Sequence, residues 1–149
     1  MDLAGRGVEK DAETAFTFFK KAADLGNEDG IAFAASCYKA GEGTQQNLPL
    51  AIEYYKKAAA LGNAFAMSNL GSCFQNGEGV ERDEVQATQL YAKSAELGYA
   101  YAMANLGVCY EKGIGVQQDH VRTVELYTQA ADLGDERAKN LLLPKLRSL

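Results

Sequence analysis

The stretch Tyr54-Tyr55-Lys56-Lys57-Ala58-Ala59-Ala60-Leu61-Gly62 ends on a Leu-Gly pair that returns at Leu25-Gly26, Leu97-Gly98 and Leu133-Gly134, 36 residues apart each time. Four pairs in register mean one unit written several times, the pattern of a stacked repeat protein. A second ladder runs in phase with it: Gly5-x-Gly7, Gly41-x-Gly43, Gly77-x-Gly79 and Gly113-x-Gly115. No strand pattern precedes any of these, so they read as tight turns between helices rather than as phosphate loops. After each turn stands Asp11, Asn47, Asp83 or Asp119, a short acceptor suited to capping the free N–H groups of a following helix. Pro49 falls in a first helical turn, where its missing donor matters little.

The unit therefore reads as helix A, G-x-G turn, capped helix B and Leu-Gly stop. Helix A is expected over 28–40, 64–76 and 100–112, and helix B over 11–25, 47–61, 83–97 and 119–133. Asn27, Asn63 and Asp135 are candidate caps for helix A, and Tyr99 breaks that pattern. No stretch alternates as a strand does, so the fold class is all-α. Helix A carries Leu70, Cys73 and Phe74, matched by Leu106, Cys109 and Tyr110. Gly71 and Gly107, in mid-helix, each forgo about 1 kcal/mol against alanine, which points to a close helix crossing. Tyr55, Tyr91 and Tyr127, with Phe19, are expected in the core or between repeats.

The string Asn69-Leu70-Gly71-Ser72-Cys73-Phe74, continued by Gly77-x-Gly79-Val80, resembles the Sel-like (sel-one-like) repeat family. So does Asn105-Leu106-Gly107-Val108-Cys109-Tyr110, continued by Gly113-x-Gly115-Val116. Tyr54-Tyr55-Lys56-Lys57-Ala58-Ala59 and Leu126-Tyr127-Thr128-Gln129-Ala130-Ala131 match its second helix. The resemblance covers nearly the whole chain. It implies a tetratricopeptide-repeat-like, right-handed α/α superhelix used mainly as an adaptor for other proteins. The copy at 28–61 departs from the pattern, with Phe33 for the asparagine, Ala34-Ala35 for Leu-Gly and Thr44 for the valine.

The organisation expected is a single solenoid: a half repeat over 1–27, full repeats over 28–63, 64–99 and 100–135, and a terminal helix over 136–149. Residues 1–10 match only the tail of a helix A and its turn, leaving helix B at 11–25 without a partner. Either a boundary inside a longer protein or a self-association edge would account for that, and the former is favoured. Pro144 should stop or kink the last helix near Leu143.

Composition narrows the function. The net charge is −5 with no basic helix face, which argues against nucleic acid as a partner. No apolar run approaches the roughly 20 residues that span a bilayer, so no membrane insertion is expected. The first residues are polar and turn-like, unlike a leader's apolar core. Cys37, Cys73 and Cys109 again stand 36 residues apart. Equivalent positions in stacked helices lie about 8–10 Å apart, too far for a disulfide, so these thiols are expected to be buried and free. In the cysteine-rich secreted branch of the family, the resemblance places the stapling cysteines at sites occupied here by Ala59 with Met67 and Ala95 with Met103. The unpaired ladder leans towards a reducing compartment; localisation is otherwise unspecified.

No metal spacing, nucleophile elbow or phosphate loop is present, and the one histidine, His120, follows a helix cap at the surface. The expectation is a protein that is not an enzyme and has no cofactor. By analogy with tetratricopeptide repeats, the inner face of helix A carries Asp29, Phe65, Tyr101 and Arg137 in one set, Ala32, Ser68, Ala104 and Asn140 in a second, Phe33, Asn69 and Asn105 in a third, and Ser36, Ser72 and Val108 in a fourth. Lys39, Gln75, Glu111 and Lys112 lie further along. The candidate partner-binding face is Phe33, Phe65, Asn69, Ser72, Gln75, Tyr101, Asn105 and Glu111: rings to anchor side chains, amides to bond a peptide backbone. The leading function is a scaffold holding a peptide or helix of a partner protein in a concave groove. A structural segment stacking end to end, with self-association through the uncapped N-terminal helix, is an alternative. A hydrolase of β-lactam-like substrates, proposed within the family, is a third, and no base-paired nucleophile supports it.

Overall fold

The computed structural model describes residues 3–148, with side chains from residue 7 onward. Among them are eight α-helices and no strand: α1 (Leu3–Asp24), α2 (Glu28–Ala40), α3 (Leu48–Ala60), α4 (Ala64–Asn76), α5 (Glu84–Glu96), α6 (Ala100–Lys112), α7 (His120–Asp132) and α8 (Glu136–Arg147). They form a right-handed α/α solenoid in which each helix packs on its sequence neighbours. α2, α4, α6 and α8 are A helices; α1, α3, α5 and α7 are B helices.

Local chemistry sets the boundaries. Asn27, Asn47, Asn63, Asp83, Asp119 and Asp135 each accept a hydrogen bond from the backbone N–H three residues on, which satisfies one of the donors a helix start leaves open. Tyr99 holds the same extended backbone and makes no side-chain cap. The A helices stop at Gly41, Gly77 and Gly113, all left-handed. The turns then close through backbone bonds from Asn47 to Tyr38, Asp83 to Phe74 and Asp119 to Tyr110, at 2.8–2.9 Å.

Stacking depends on the second glycine of the turn. A Cβ on Gly115 would lie 2.2 Å from the Glu84 carbonyl oxygen, and one on Gly43 would lie 2.1 Å from that of Ala12. The turns thus rest directly on the preceding B helix, Gly79 on Leu48 and Gly115 on Glu84 in the first turns of α3 and α5, and Gly43 on Ala12, their register equivalent within α1.

At the ends one expectation is overturned and, of the stop or kink expected at Pro144, the stop does not occur. The Gly5-x-Gly7 turn and its Asp11 cap do not form; α1 runs unbroken from Leu3 to Asp24. The other three turns are held by a backbone carbonyl of the preceding A helix. At α1 the corresponding residues are helical instead; residues 1 and 2 lie outside the described residues. Pro144 does not end α8, which continues to Arg147. Asn140, whose carbonyl loses its donor, and Pro144 are both exposed, so water can take the bond. Beyond the proline, Lys145 is tied to Glu111 at 2.6 Å.

The core is built on the B-helix tyrosines. Tyr55, Tyr91 and Tyr127 are fully buried, and Cys37, Cys73 and Cys109 are buried and free. The mid-helix glycines make room for the rings: a Cβ on Gly107 would stand 2.6 Å from Tyr127 Cε1, and one on Gly71 would stand 2.9 Å from Tyr91 Cε1. Burial pushes the Tyr55 hydroxyl up to about 12 and raises Tyr91, Tyr127 and all three thiols. A neutral thiol in an apolar site is a packing group rather than a nucleophile.

Candidate partner-binding face

The A helices place Phe33 and Phe65 5.4 Å apart between ring centroids. The row continues through Tyr99, 6.3 Å from Phe65, to Tyr101, 6.1 Å further. In the other direction Phe19 of α1 stacks on Phe33 at 5.1 Å. The Arg137 guanidinium lies 4.4 Å over the Tyr101 ring and closes the row. Five rings from four helix segments thus form one continuous line, with tilted and edge contacts of the kind aromatic pairs prefer. Phe33 is 38% exposed and Tyr101 47%. Phe65 is half-buried and packs against the part of the core that holds Ile31, Tyr55 and Leu70.

Two of these rings, Tyr99 and Phe19, are not among the candidates for the face that the sequence offers. Tyr99 carried a signal, because it alone breaks the capping pattern. A phenol cannot cap as Asn63 does, and here that position gives up its cap to supply a ring. Phe19 is expected in the core or between repeats, and it takes the second place, whereas its register partners Tyr55, Tyr91 and Tyr127 are buried. It is only half-buried itself, and its contact is with Phe33.

The polar candidates are bound into the scaffold to different degrees. Asn69 donates to the Phe65 carbonyl at 2.9 Å, one turn back in its own helix. Asn105 donates to Ser68 Oγ at 3.4 Å and accepts from Arg137 Nη2 at 2.7 Å. Ser72 Oγ accepts from Asn76 at 3.4 Å. Gln75 accepts from the Tyr91 hydroxyl at 2.7 Å, and Glu111 accepts from that of Tyr127 at 2.6 Å. The corresponding residue in the first full repeat is Lys39, which has no acceptor. Tyr55 accordingly turns to Ser36, 2.8 Å away. Burial opposes the charge of Glu111, but the Lys145 ammonium and the Tyr127 hydroxyl outweigh it and hold the carboxyl below its usual range.

At the far end of the column Asp29 accepts from Asn63 Nδ2 at 2.9 Å, and the same nitrogen reaches Glu28 at 3.3 Å. His120 is exposed as the first residue of α7. Among the described residues no group of three His, Cys, Asp or Glu is placed to hold a metal ion. No described helix is long and apolar enough to cross a membrane.

The family model described as Sel1 repeat matches residues 3–27, 29–63, 64–99 and 100–135. No curated protein matches the chain. Among solved structures, the chain is similar to a Sel1 repeat protein from Oxalobacter formigenes, with 34% identity and a TM-score of 0.82 over 93% of this chain and 57% of that one. It is similar to c5321, a protective antigen of uropathogenic Escherichia coli strains displaying an SLR fold, with 33% identity and a TM-score of 0.77 over 88% of this chain. Helicobacter pylori cysteine rich protein B follows at 28% identity and a TM-score of 0.70, over 91% of this chain and 97% of that one. The chain spans 28% of the length of c5321 and 57% of the Oxalobacter protein. Sel1 repeats generally mediate contact between proteins, and their solenoid is typically a scaffold rather than a catalyst. With repeats matched from residue 3 to residue 135 and the same solenoid in its structural neighbours, this chain belongs to the Sel1 repeat family.

Proposed function

We propose that the chain is a non-enzymatic interaction scaffold that holds an extended segment or a helix of a partner protein along the A-helix face. The observation that carries this reading is the unbroken row Phe19, Phe33, Phe65, Tyr99 and Tyr101, with Phe33 and Tyr101 left open to solvent. A stable solenoid needs no exposed ring at these positions, whereas clustered aromatics are what binding hot spots are made of. The Asn69 side-chain oxygen accepts no bond from the described residues, and it stands beside the row where it can take a backbone N–H of a bound peptide.

The test is selection of displayed random twelve-residue peptides on the wild-type chain and on Phe33→Ser/Tyr101→Ser. Peptides retained by the wild type and lost by the double variant, with unchanged far-UV circular dichroism, support the reading. Retention indifferent to both substitutions overturns it.

A second reading is self-association through the open face of α1. Phe18 is 70% exposed, while its register partner Leu126 is 3% exposed beneath its own A helix. An apparent mass that rises with concentration in sedimentation, and stays monomeric in Phe18→Ser, supports it. A monomer at every concentration overturns it.

A further inference from the structure

The two ends of the column carry opposite charges that the fold leaves unpaired. Among the described residues six Lys or Arg side chains form ion pairs: Lys20, Lys39, Arg82, Arg122, Lys139 and Lys145. Arg137 is not among them. Its Nη2 donates to the Tyr101 carbonyl at 3.3 Å and to Asn105 Oδ1 at 2.7 Å, both uncharged acceptors. Its Nε is buried without a partner, and its Nη1 makes no hydrogen bond among the described residues. Stacking on Tyr101 and these two bonds fix a full positive charge in one orientation without neutralising it. At the other end Asp29 is exposed and pairs with no cation among the described residues; its one described bond is from the Asn63 amide. Glu28, held by the same amide nitrogen, adds a second negative charge. Phe65 and Tyr101 occupy the two intermediate repeats at the same register.

We propose that this face reads the order of charges along its partner: an extended peptide with a cationic side chain at the Asp29 end, a carboxylate at the Arg137 end and apolar side chains between. The proposal rests on the reading that the row holds a partner segment, and it specifies which segment. Three repeat steps of roughly 10 Å each separate the two charges, which an extended chain covers in roughly nine residues. A guanidinium already immobilised loses little further freedom on meeting a carboxylate, and its fork geometry favours that group over an amide. Opposite charges at the two ends also set the direction in which such a segment lies, because turning it end for end makes both contacts repulsive.

The peptide selection is repeated on Arg137→Glu, Asp29→Lys and Asp29→Asn, and representative peptides are synthesised for titration calorimetry. The expected wild-type peptides carry one basic and one acidic residue about nine positions apart, flanking apolar residues. Binding should weaken roughly tenfold in Arg137→Glu. Exchanging the peptide's acidic residue for lysine should restore it, and that rescue also shows that the variant is folded. Asp29→Lys, on the exposed first turn of α2, should act on the basic position, and so should Asp29→Asn, which keeps an acceptor for the Asn63 amide. Peptides that need Phe33 and Tyr101 but carry no charge order, or that lose less than about twofold in every charge variant, overturn this proposal and leave the groove standing. Peptides indifferent to Phe33 and Tyr101, or none retained, overturn the groove and this proposal together.

Discussion

Gly107→Ala is the sharpest test of how the repeats are packed, because two large effects oppose each other at that atom. In an exposed helix the exchange would gain about 1 kcal/mol. Here the new Cβ stands 2.6 Å from Tyr127 Cε1 and 2.8 Å from Cδ1. The ring cannot step aside freely, since it is fully buried and its hydroxyl is tied to the Glu111 carboxylate at 2.6 Å. Overpacking of this kind costs about 1–3 kcal/mol, and displacing a hydrogen bond to a charged acceptor costs about 1.5–3 kcal/mol. After the helical gain, the two costs together leave an expected net loss of about 1.5–5 kcal/mol, or a fall in Tm of about 3–20 °C at this chain length. Gly71→Ala should lose less, because its Cβ lies 2.9 Å from the Tyr91 ring and that ring answers to a neutral glutamine. Thermal and urea unfolding followed by circular dichroism measure both. The exchange is then repeated in a Tyr127→Leu background, where it should turn stabilising once the ring is gone. A Gly107→Ala protein as stable as the wild type, or more stable, would refute the argument that the tyrosine ring excludes the Cβ.

Glu111→Gln should cost up to about 1 kcal/mol at pH 7, since the pair with Lys145 is partly exposed. The folded carboxyl titrates below its unfolded value, so its contribution is complete above about pH 5 and fades as pH falls through the folded pKa. Denaturant midpoints of wild type and variant should therefore converge near pH 3, and a gap that persists there would exclude ionisation as its source. Phe65→Ala should destabilise by about 1–3 kcal/mol because the ring leans on the core, while Tyr101→Ala should cost less than about 1 kcal/mol. Equal melting losses for the two would mean that Tyr101 is as much a core residue as Phe65.

The A helices, the B helices from α3 onward and their caps were legible because their determinants are local. Asn63 caps whatever follows it, and a glycine after the last helical turn needs no distant partner. Two departures came from elements whose outcome depends on more than local signals. The Gly5-x-Gly7 pattern is the same as in the copies that turn, yet those turns are also held by an acceptor on a preceding A helix. Pro144 carries a local stop signal that an exposed carbonyl and the Lys145–Glu111 pair override. Within the candidate face, spacing alone placed Phe33, Phe65 and Tyr101 near one another. It did not reveal that Tyr99 would join them, because the direction of a ring at a helix start depends on the neighbouring repeat.

The tyrosine at 55, 91 and 127 is the same residue in every full repeat, yet its hydroxyl is met by Ser36, Gln75 or Glu111. Differences between copies at an inner-face position are therefore not in themselves a sign of binding; some are different answers to one buried hydroxyl. The useful criterion is difference that the scaffold leaves unused. Gln75, Glu111 and Asn105 each have a polar atom committed to a tyrosine or an arginine inside the solenoid, so a partner would have to compete for it. Phe33 and Tyr101 keep open faces, and Asp29 and Arg137 keep unneutralised charges. With Phe65 they span four successive A helices: Asp29 and Phe33 on α2, Phe65 on α4, Tyr101 on α6 and Arg137 on α8. A ligand that engaged them all would lie across the repeats rather than along any one helix. That favours an extended segment over a docked helix, because a chain at about 3.3 Å per residue meets one helix every three residues.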